Sequence, residues 1–519
     1  MELIRKPIHY TQEGKSLFDQ FYLDEDYNVP DQKEDVQRII QGKAELRTED
    51  IRPVENYVKI TGKVYFTILY MTASGDSKPA VLEGKLPFEE MVYAESDGNE
   101  SFYLRNVRTE FTASVVHSRK LGLKIMAEIE IGREWIRDEE LTENIDSDIP
   151  IYRKTRKMNL LRLAVSKKDT YRIKEEVTLP GTKESIGQLL LTDISVRKLD
   201  IRTGQDEILL RGEMLVFCMY LSAEEKADWI EQSVPFEGRV LCDGVSENMY
   251  YHIQHSLEDT LADIRLDEDG EMRVMGIEAT LALRMNIYEE EESEILSDMY
   301  SLEQQCVFDT QDTVLEELLM QNQSKCKIAE RLSLPELKED VLQILHSRGS
   351  IQVESEQHTS EGIQIEGILH LSFLYLRGDD AEPYGSWQGM IPFSWLIEYS
   401  DMPEKVSSSL SYHVEQLAVT LAGSEAVEVK AILSFDVFLR RLMPVGMITE
   451  VRMEPLDMEE LSERPGIVGH IVQNGEDLWS LAKKYMTTID GIREINGLND
   501  EKVSPGDKLL IFKENVSIL

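Results

Sequence analysis

The stretch "VKITGKVYFTILYM" at residues 58–71 returns as "ILLRGEMLVFCMYL" at 208–221 and as "IQIEGILHLSFLYL" at 363–376. Each copy is rich in β-branched and aromatic residues. Its near-continuous apolarity predicts a strand covered on both faces. Each copy also carries a glycine (Gly62, Gly212, Gly367), followed eight residues later by a tyrosine (Tyr70, Tyr220, Tyr375). A glycine inside a strand marks a bulge or the close approach of another backbone.

The register extends in both directions. Twenty-nine residues before each glycine stands the lysine of a Lys-Glu pair, inside "VPDQKEDVQRII" (29–40), "LPGTKESIGQLL" (179–190) and "LPELKEDVLQIL" (334–345). A Pro-Phe pair follows each tyrosine by 15 to 17 residues, in "LPFEE", "VPFEG" and "IPFSW". The copies are offset by 150 and 155 residues, so the chain is a threefold repeat. After the prolines (Pro30, Pro180, Pro335), apolar residues fall at helical spacing: Val36, Ile39, Ile40; Ile186, Leu189, Leu190; Val341, Ile344, Leu345. That spacing predicts a short helix opened by proline.

Turn signals at 73–78, 266–271 and 377–385 separate further strands at 121–131, 272–288 and 427–439. The expected fold is mainly β: three β-sandwich or barrel-like modules of five or six strands, each with a short helix. The expected boundaries are an N-terminal segment 1–28, modules at 29–150, 151–300 and 301–452, an acidic linker 453–466, and a small unit at 467–513.

The 519 residues carry a net charge of −41, which makes nucleic acid a poor partner. The excess acid lies upstream of 467: residues 467–513 hold six Lys/Arg against seven Asp/Glu. Apolar runs stay far below the ~20 residues of a membrane-spanning helix. The N-terminus has no apolar stretch of signal-peptide length, so the expectation is a cytoplasmic protein without membrane insertion. Cys218, Cys242, Cys306 and Cys326 lack metal spacing and are expected to be inert thiols.

Catalytic signatures are near misses. In "EGKS" (13–16), His9 stands where the first glycine of a phosphate loop belongs. In "RLDEDGE" (265–271), Arg265 and Gly276 replace calcium ligands, and Asp269-Gly270 reads as a hairpin turn. His252 and His255 form a pair on a surface or strand with no third ligand nearby. No catalytic residue, metal or cofactor is expected. Acidic runs read as solvated faces or as a docking surface for a basic partner.

The C-terminal stretch "HIVQNGEDLWSLAKKYMTTIDGIREINGLNDEKVSPGDKLLIFK" (470–513) resembles a LysM domain over its whole length. The match includes the Asn-x-Leu at Asn496 and Leu498 and the Pro-Gly-x-x-Leu strand "VSPGDKLLI". A βααβ fold suits it: Asp477 can cap the first helix, with Leu478, Leu481, Ala482 and Tyr485 on one apolar face. Ile489, Ile492 and Ile495 do the same for the second helix. The resemblance implies a glycan groove for peptidoglycan-like N-acetylglucosamine polymers, formed by Asn474, Gly475, Glu476, Asp477 and Leu478 with Asn496, Gly497, Leu498 and Asn499. Glu476-Asp477 departs from the family's Asp-Thr. Trp479, at the margin of the apolar face, reads either as flanking the core or as a partly exposed protein-binding anchor.

Three such modules followed by one LysM resemble the spore-coat morphogenetic proteins of the SipL and SpoVID type, whose repeats are called SPOCS modules. The three-module form is closer to the SipL arrangement. The resemblance implies a non-enzymatic adaptor at the forespore surface, in the mother-cell cytoplasm. It would bind the basement-layer morphogenetic ATPase (the stage IV sporulation protein) and other coat proteins. Its LysM would serve as a docking module through Trp479, Ile471 and Leu478.

Overall fold

The computed structural model describes the chain except residues 74–77, 96–97, 338–339, 424, 458, 460–464 and 514–519. Most of the turn expected at 73–78 and six of the fourteen residues of the acidic linker 453–466 therefore lie outside the described residues.

Each repeat builds two three-stranded antiparallel sheets packed face to face. In module 1, β3 (Val36–Val54), β4 (Tyr57–Thr72) and β5 (Pro79–Tyr93) form one sheet. β2 (Leu17–Asn28) and β6 (Ser101–His117) flank β7 (Lys120–Asp146) in the other. Module 2 repeats this with β9 (Ile186–Thr203), β10 (Glu207–Ser222) and β11 (Ala227–Leu241). Its second sheet places β13 (Met272–Tyr300) between β8 (Tyr152–Thr178) and β12 (Tyr250–Leu266). Module 3 uses β15 (Val341–Thr359), β16 (Gly362–Arg377) and β17 (Tyr384–Glu398). Its β19 (Ala426–Pro455) lies between β14 (Gln304–Ser333) and β18 (Val406–Leu421). Residues 1–28 are thus no separate segment, because β2 completes the second sheet of module 1.

The repeated anchors are cross-strand neighbours. Gly62, Gly212 and Gly367 pair with Phe88, Phe236 and Phe393 of the Pro-Phe motifs, so each phenyl ring covers the glycine opposite. A Cβ on Gly62 or Gly367 would lie 2.1 or 2.3 Å from a carbonyl oxygen of the neighbouring strand, Arg47 or Gln352. The Tyr70 and Tyr220 hydroxyls donate to the Glu34 and Glu184 carbonyls of the Lys-Glu pairs.

The helix expected after each proline is absent. The segment makes one tight turn, closed by Lys33 N–H to Pro30 O, Lys183 N–H to Pro180 O and Leu337 N–H to Leu334 O. Only in module 3 is the turn a short 3₁₀ helix, Pro335–Leu337. In modules 1 and 2 the chain then runs into a strand without a helix. The apolar spacing of three and four comes from two β-bulges. Residues 37 and 40, 187 and 190, and 342 and 345 are extra residues with no partner across the ladder. Each insertion shifts which face the next residue takes, and the result mimics a helical period.

Ile40, Leu190 and Leu345, the second extra residue of each pair, meet in one buried cluster with Leu69, Met219 and Leu374. The three modules therefore surround a common centre. This explains the two-sided burial of β4 from Ile68 to Thr72: one face lines the module's own core and the other lines the centre. At the equivalent positions 43, 193 and 348, Lys43 and Arg348 approach Asp193 at 2.7 and 3.6 Å. His346 lies 3.1 Å from the same carboxylate. Burial works against the charge on Asp193, but Arg348 and Lys43 outweigh it and hold the carboxyl well below its ordinary range. The ring closes where Arg38 donates to Tyr384 O and Ser386 to Ile40 O.

The long strands leave their modules as ribbons. β1 (Glu2–Glu13) pairs with the end of β7, the start of β8 with the end of β13, and the start of β14 with the end of β19. The ribbons pack through Ile8, Leu141, Leu160, Ile295, Leu315 and Met447. Where ribbons meet modules, the buried Arg440 contacts Glu316 at 3.1 Å, Glu13 at 3.4 Å and Ser409 at 3.0 Å. His252 is buried at the same junction, within the field of Glu13, Arg440 and Arg105, so it is not a surface histidine.

Two outcomes check this arrangement. Leu345→Ala should cost ~2–5 kcal/mol and loosen the modules from one another in small-angle scattering. Leu342→Ala should be near neutral, because Leu342 is the exposed bulge residue of the same strand. Burial also drives His252 and His255 down to about 4 from 6.5, so the folded protein binds fewer protons than the unfolded chain between these values. Stability should be full above pH 6.5 and fall toward pH 4, by about 1.4 kcal/mol per pH unit per group. Urea midpoints at pH 7 and pH 5 should differ less in His252→Gln than in the parent.

Candidate functional site

The C-terminal unit is β20 (Ile467–Ile471), α1 (Leu478–Tyr485), α2 (Ile489–Asn496) and β21 (Lys508–Phe512), the expected βααβ order. Asp477 caps α1 by accepting from Ser480 N–H at 2.8 Å, and Ser480 returns the bond to Asp477 N–H. Thr488 caps α2 in the same way through Gly491 N–H. Leu478, Leu481, Ala482, Ile492, Leu509 and Ile511 form the core. Ile495 does not join it and is 43% exposed.

The unit is clamped to the ribbon formed by β8 and β13. The Trp479 indole N–H donates to Asp298 Oδ2 at 2.8 Å, and Lys483 reaches Asp298 Oδ1 at 2.6 Å. Lys154 donates to Asp477 Oδ2 at 2.7 Å, and the Tyr300 hydroxyl donates to Thr487 O at 2.9 Å. The Tyr300 ring lies edge-on to Trp479, with centroids 5.0 Å apart, and stacks on Tyr152. Trp479 is only 9% exposed, so of its two readings the one that flanks the core agrees with the structure and the partly exposed anchor does not. The indole at the margin of α1 faces the ribbon of its own chain. Tyr300, Asp298 and Lys154 were not anticipated from the sequence, since they lie far from the C-terminal unit along the chain.

Of the three residues expected to bind a partner, Leu478 is 1% exposed and belongs to the core, while Ile471 is 52% exposed. Ile471 shares the outer face of the small sheet with Ile467, Leu510 and Phe512, all exposed.

The two loops of the expected glycan groove carry structural roles. Glu476 accepts from Gln473 N–H and pairs with His470 at 2.6 Å, and these bonds lower its pKa. Burial opposes ionisation of Asp477, but Lys154 and the Ser480 N–H outweigh it and push the carboxyl down to about 2. The Asn496 side chain bonds both the N–H and the C=O of Leu510 at 2.7 Å, so it closes the outer edge of β21. Gly497 takes a left-handed conformation at the end of α2, and Leu498 packs on the core. Asn474, Gly475 and Asn499 are exposed.

Among the described residues, no group of three or more His, Cys, Asp or Glu side chains is arranged to hold a metal. Burial raises the thiol pKa of all four cysteines, and Cys218 reaches about 12. The Asp269-Gly270 stretch is the turn between β12 and β13, with Gly270 at φ +80°.

Comparisons with known proteins agree with this architecture. The family model described as "SipL, SPOCS domain" matches three times, at residues 35–112, 185–265 and 340–422. The LysM domain model matches residues 470–512. A curated relative, the probable autolysin SsaALP of Staphylococcus aureus, is 43% identical over 42 residues. That match covers 8% of this chain and 16% of the autolysin. No solved structure matches the chain.

Asp298→Ala removes the acceptor of the indole and the partner of Lys483 while leaving the core of the unit intact. The expected outcome is a docking weakened by ~1–3 kcal/mol. It would be read as faster proteolysis between 456 and 466 and a red-shifted Trp479 emission, taken as the difference from Trp479→Phe.

Proposed function

Because the chain belongs to the SipL family, with three SPOCS modules followed by a LysM domain, we propose that it is a non-enzymatic adaptor of spore-coat assembly. It associates with the coat by family. In this reading it binds the basement-layer morphogenetic ATPase, the stage IV sporulation protein, on the forespore surface facing the mother-cell cytoplasm. Other coat proteins are then recruited around it. Among the described residues, no helix is long and apolar enough to cross a membrane.

The observation that carries the reading is the outer face of the LysM sheet. Ile467, Ile471, Leu510 and Phe512 stand exposed on a unit that is held by its opposite side. An apolar patch on a fixed support loses little entropy on binding, as a preorganised protein anchor should. Ile471 then contacts the partner, whereas Trp479 positions the domain and Leu478 fills its core.

A second reading, an N-acetylglucosamine polymer such as peptidoglycan as ligand, is favoured by the autolysin relative and by the exposed Asn474 and Asn499. Binding of glycan oligomers to the full chain, lost on Asn499→Ala, would promote it.

The ATPase reading is tested by pull-down. Ile471→Asp should lower capture roughly tenfold with an unchanged melting temperature. Trp479→Ser and Asp298→Ala should lower it to a lesser degree, by releasing the domain. Removal of 467–519 should abolish most of it. Full capture by both Ile471→Asp and the truncated chain would overturn the proposal.

A further inference from the structure

The second sheets of modules 1 and 2 end in open edges at equivalent places. Among the described residues, the backbone of β2 pairs only with β7, and that of the second half of β8 only with β13, although Lys167 and Tyr171 reach β11 through their side chains. The repeat register, anchored at Val29 and Leu179, makes Phe18 equivalent to Lys168, Tyr22 to Arg172 and Asp24 to Lys174.

These two edges are opposites in chemistry. On β2, Phe18 and Tyr22 are 71% and 68% exposed and share a face with Asp24 and Asp26. The two carboxylates meet only surface lysines of β7, Lys124 at 3.8 Å and Lys120 at 2.6 Å. On the second half of β8, residues 165–178 hold four Lys/Arg against three Asp/Glu, and the exposed face carries Lys168, Arg172 and Lys174 against Glu176. Lys168 and Arg172 are exposed there and make no hydrogen bond or ion pair among the described residues. Leu241, 73% exposed, stands at the end of the neighbouring strand β11, and Lys167 donates to its carbonyl at 2.8 Å.

Module 3 differs in part: Gln323, at the position of Phe18 and Lys168, donates to Asp436 of its own module, while Lys327, at the position of Tyr22 and Arg172, is exposed. Lysines on an edge strand ordinarily repel a second strand. Here the same chain also carries the edge that would accept them: an aromatic pair for guanidinium and ammonium stacking, flanked by acids.

We propose that the protein self-associates head to tail, with the β2 edge of module 1 in one copy joined to the β8 edge of module 2 in the next. The occupant of each edge is a second copy of this chain. The contact joins two different surfaces, so it is heterologous and need not close, and it can extend into an open array. Because the two sheets come from one repeat, their twist is matched for edge-to-edge addition. The contact leaves the LysM face free and does not depend on what that face binds.

The test is sedimentation velocity of the full chain across a concentration series at low and high salt. The parent should form a ladder of species, with an apparent Kd that rises about tenfold or more at high salt. Phe18→Glu with Tyr22→Glu, and separately Lys168→Glu with Arg172→Glu, should each be monomeric. Circular dichroism and melting should be unchanged, since all four side chains are exposed. An equimolar mixture of the two variants should give dimers and nothing larger, because one intact edge of each kind remains. A monomeric parent at both salts, an assembly indifferent to both variants, or a mixture that stays monomeric would each overturn the proposal. An acidic strand peptide that binds β8 of a monomeric parent would give the edge a different occupant and overturn it equally.

Discussion

Everything in this molecule hangs on one extra residue per repeat. Ile40, Leu190 and Leu345 are each inserted into a strand without a ladder partner, and each turns its side chain into the cluster where the modules meet. A β-sandwich normally buries one face of each sheet and wets the other. The bulge gives the outer sheet a second apolar surface at one end and twists the strand toward its neighbours. Three half-exposed sheets thereby acquire a shared core, at the cost of three unpaired ladder positions. The ribbons then follow: strands of 27 to 30 residues run out of each module beside its neighbours and pack into a second core.

That second core decides what the LysM domain can be. It does not swing on its linker but rests on the tip of the β8–β13 ribbon, with Trp479 and Lys483 sharing Asp298 and with Tyr300 beneath. A carboxylate that satisfies an indole and an ammonium together is a stronger register device than either bond alone, since loss of the carboxylate strands both donors. The orientation of the outer LysM sheet is therefore set by the second SPOCS module. Changes at the indole would be felt at the partner surface without the indole touching the partner.

The modules were legible in the sequence because their anchors are local rules: glycine under a phenylalanine, tyrosine onto a carbonyl just before the adjacent strand, proline at a turn. The LysM fold was legible through its caps and apolar faces. The helix after each proline was misread for a physical reason. Two bulges three residues apart produce the i, i+3, i+4 pattern that defines an amphipathic helix, and periodicity cannot separate the two. Of the two readings of Trp479, the one that flanks the core agrees with the structure, but the surface it meets was hidden for another reason. An amphipathic face shows what the domain buries within itself, while Asp298 and Tyr300, some 180 residues upstream, decide what its margin meets. Asn496 illustrates the same limit, since its spacing marks the family but its bonds to Leu510 show a strand edge being closed.

The central ion cluster also explains why three diverged copies in one chain differ from a trimer of one module. Identical copies would set three like charges at positions 43, 193 and 348 around one centre. At an effective dielectric near 20, each close pair would cost about 4 kcal/mol. Lysine, aspartate and arginine at those places turn the repulsion into attraction, and His346 takes the remaining carboxylate contact. Such a pattern is available only when the copies are covalently ordered, because a homotrimer cannot assign a different residue to each position. Divergence at the centre also releases the edges from equivalence, and the β2 and β8 edges have parted into aromatic-acidic and basic strands. A chain whose copies are alike in core and unlike in charge can hold its own modules together while presenting different surfaces outward.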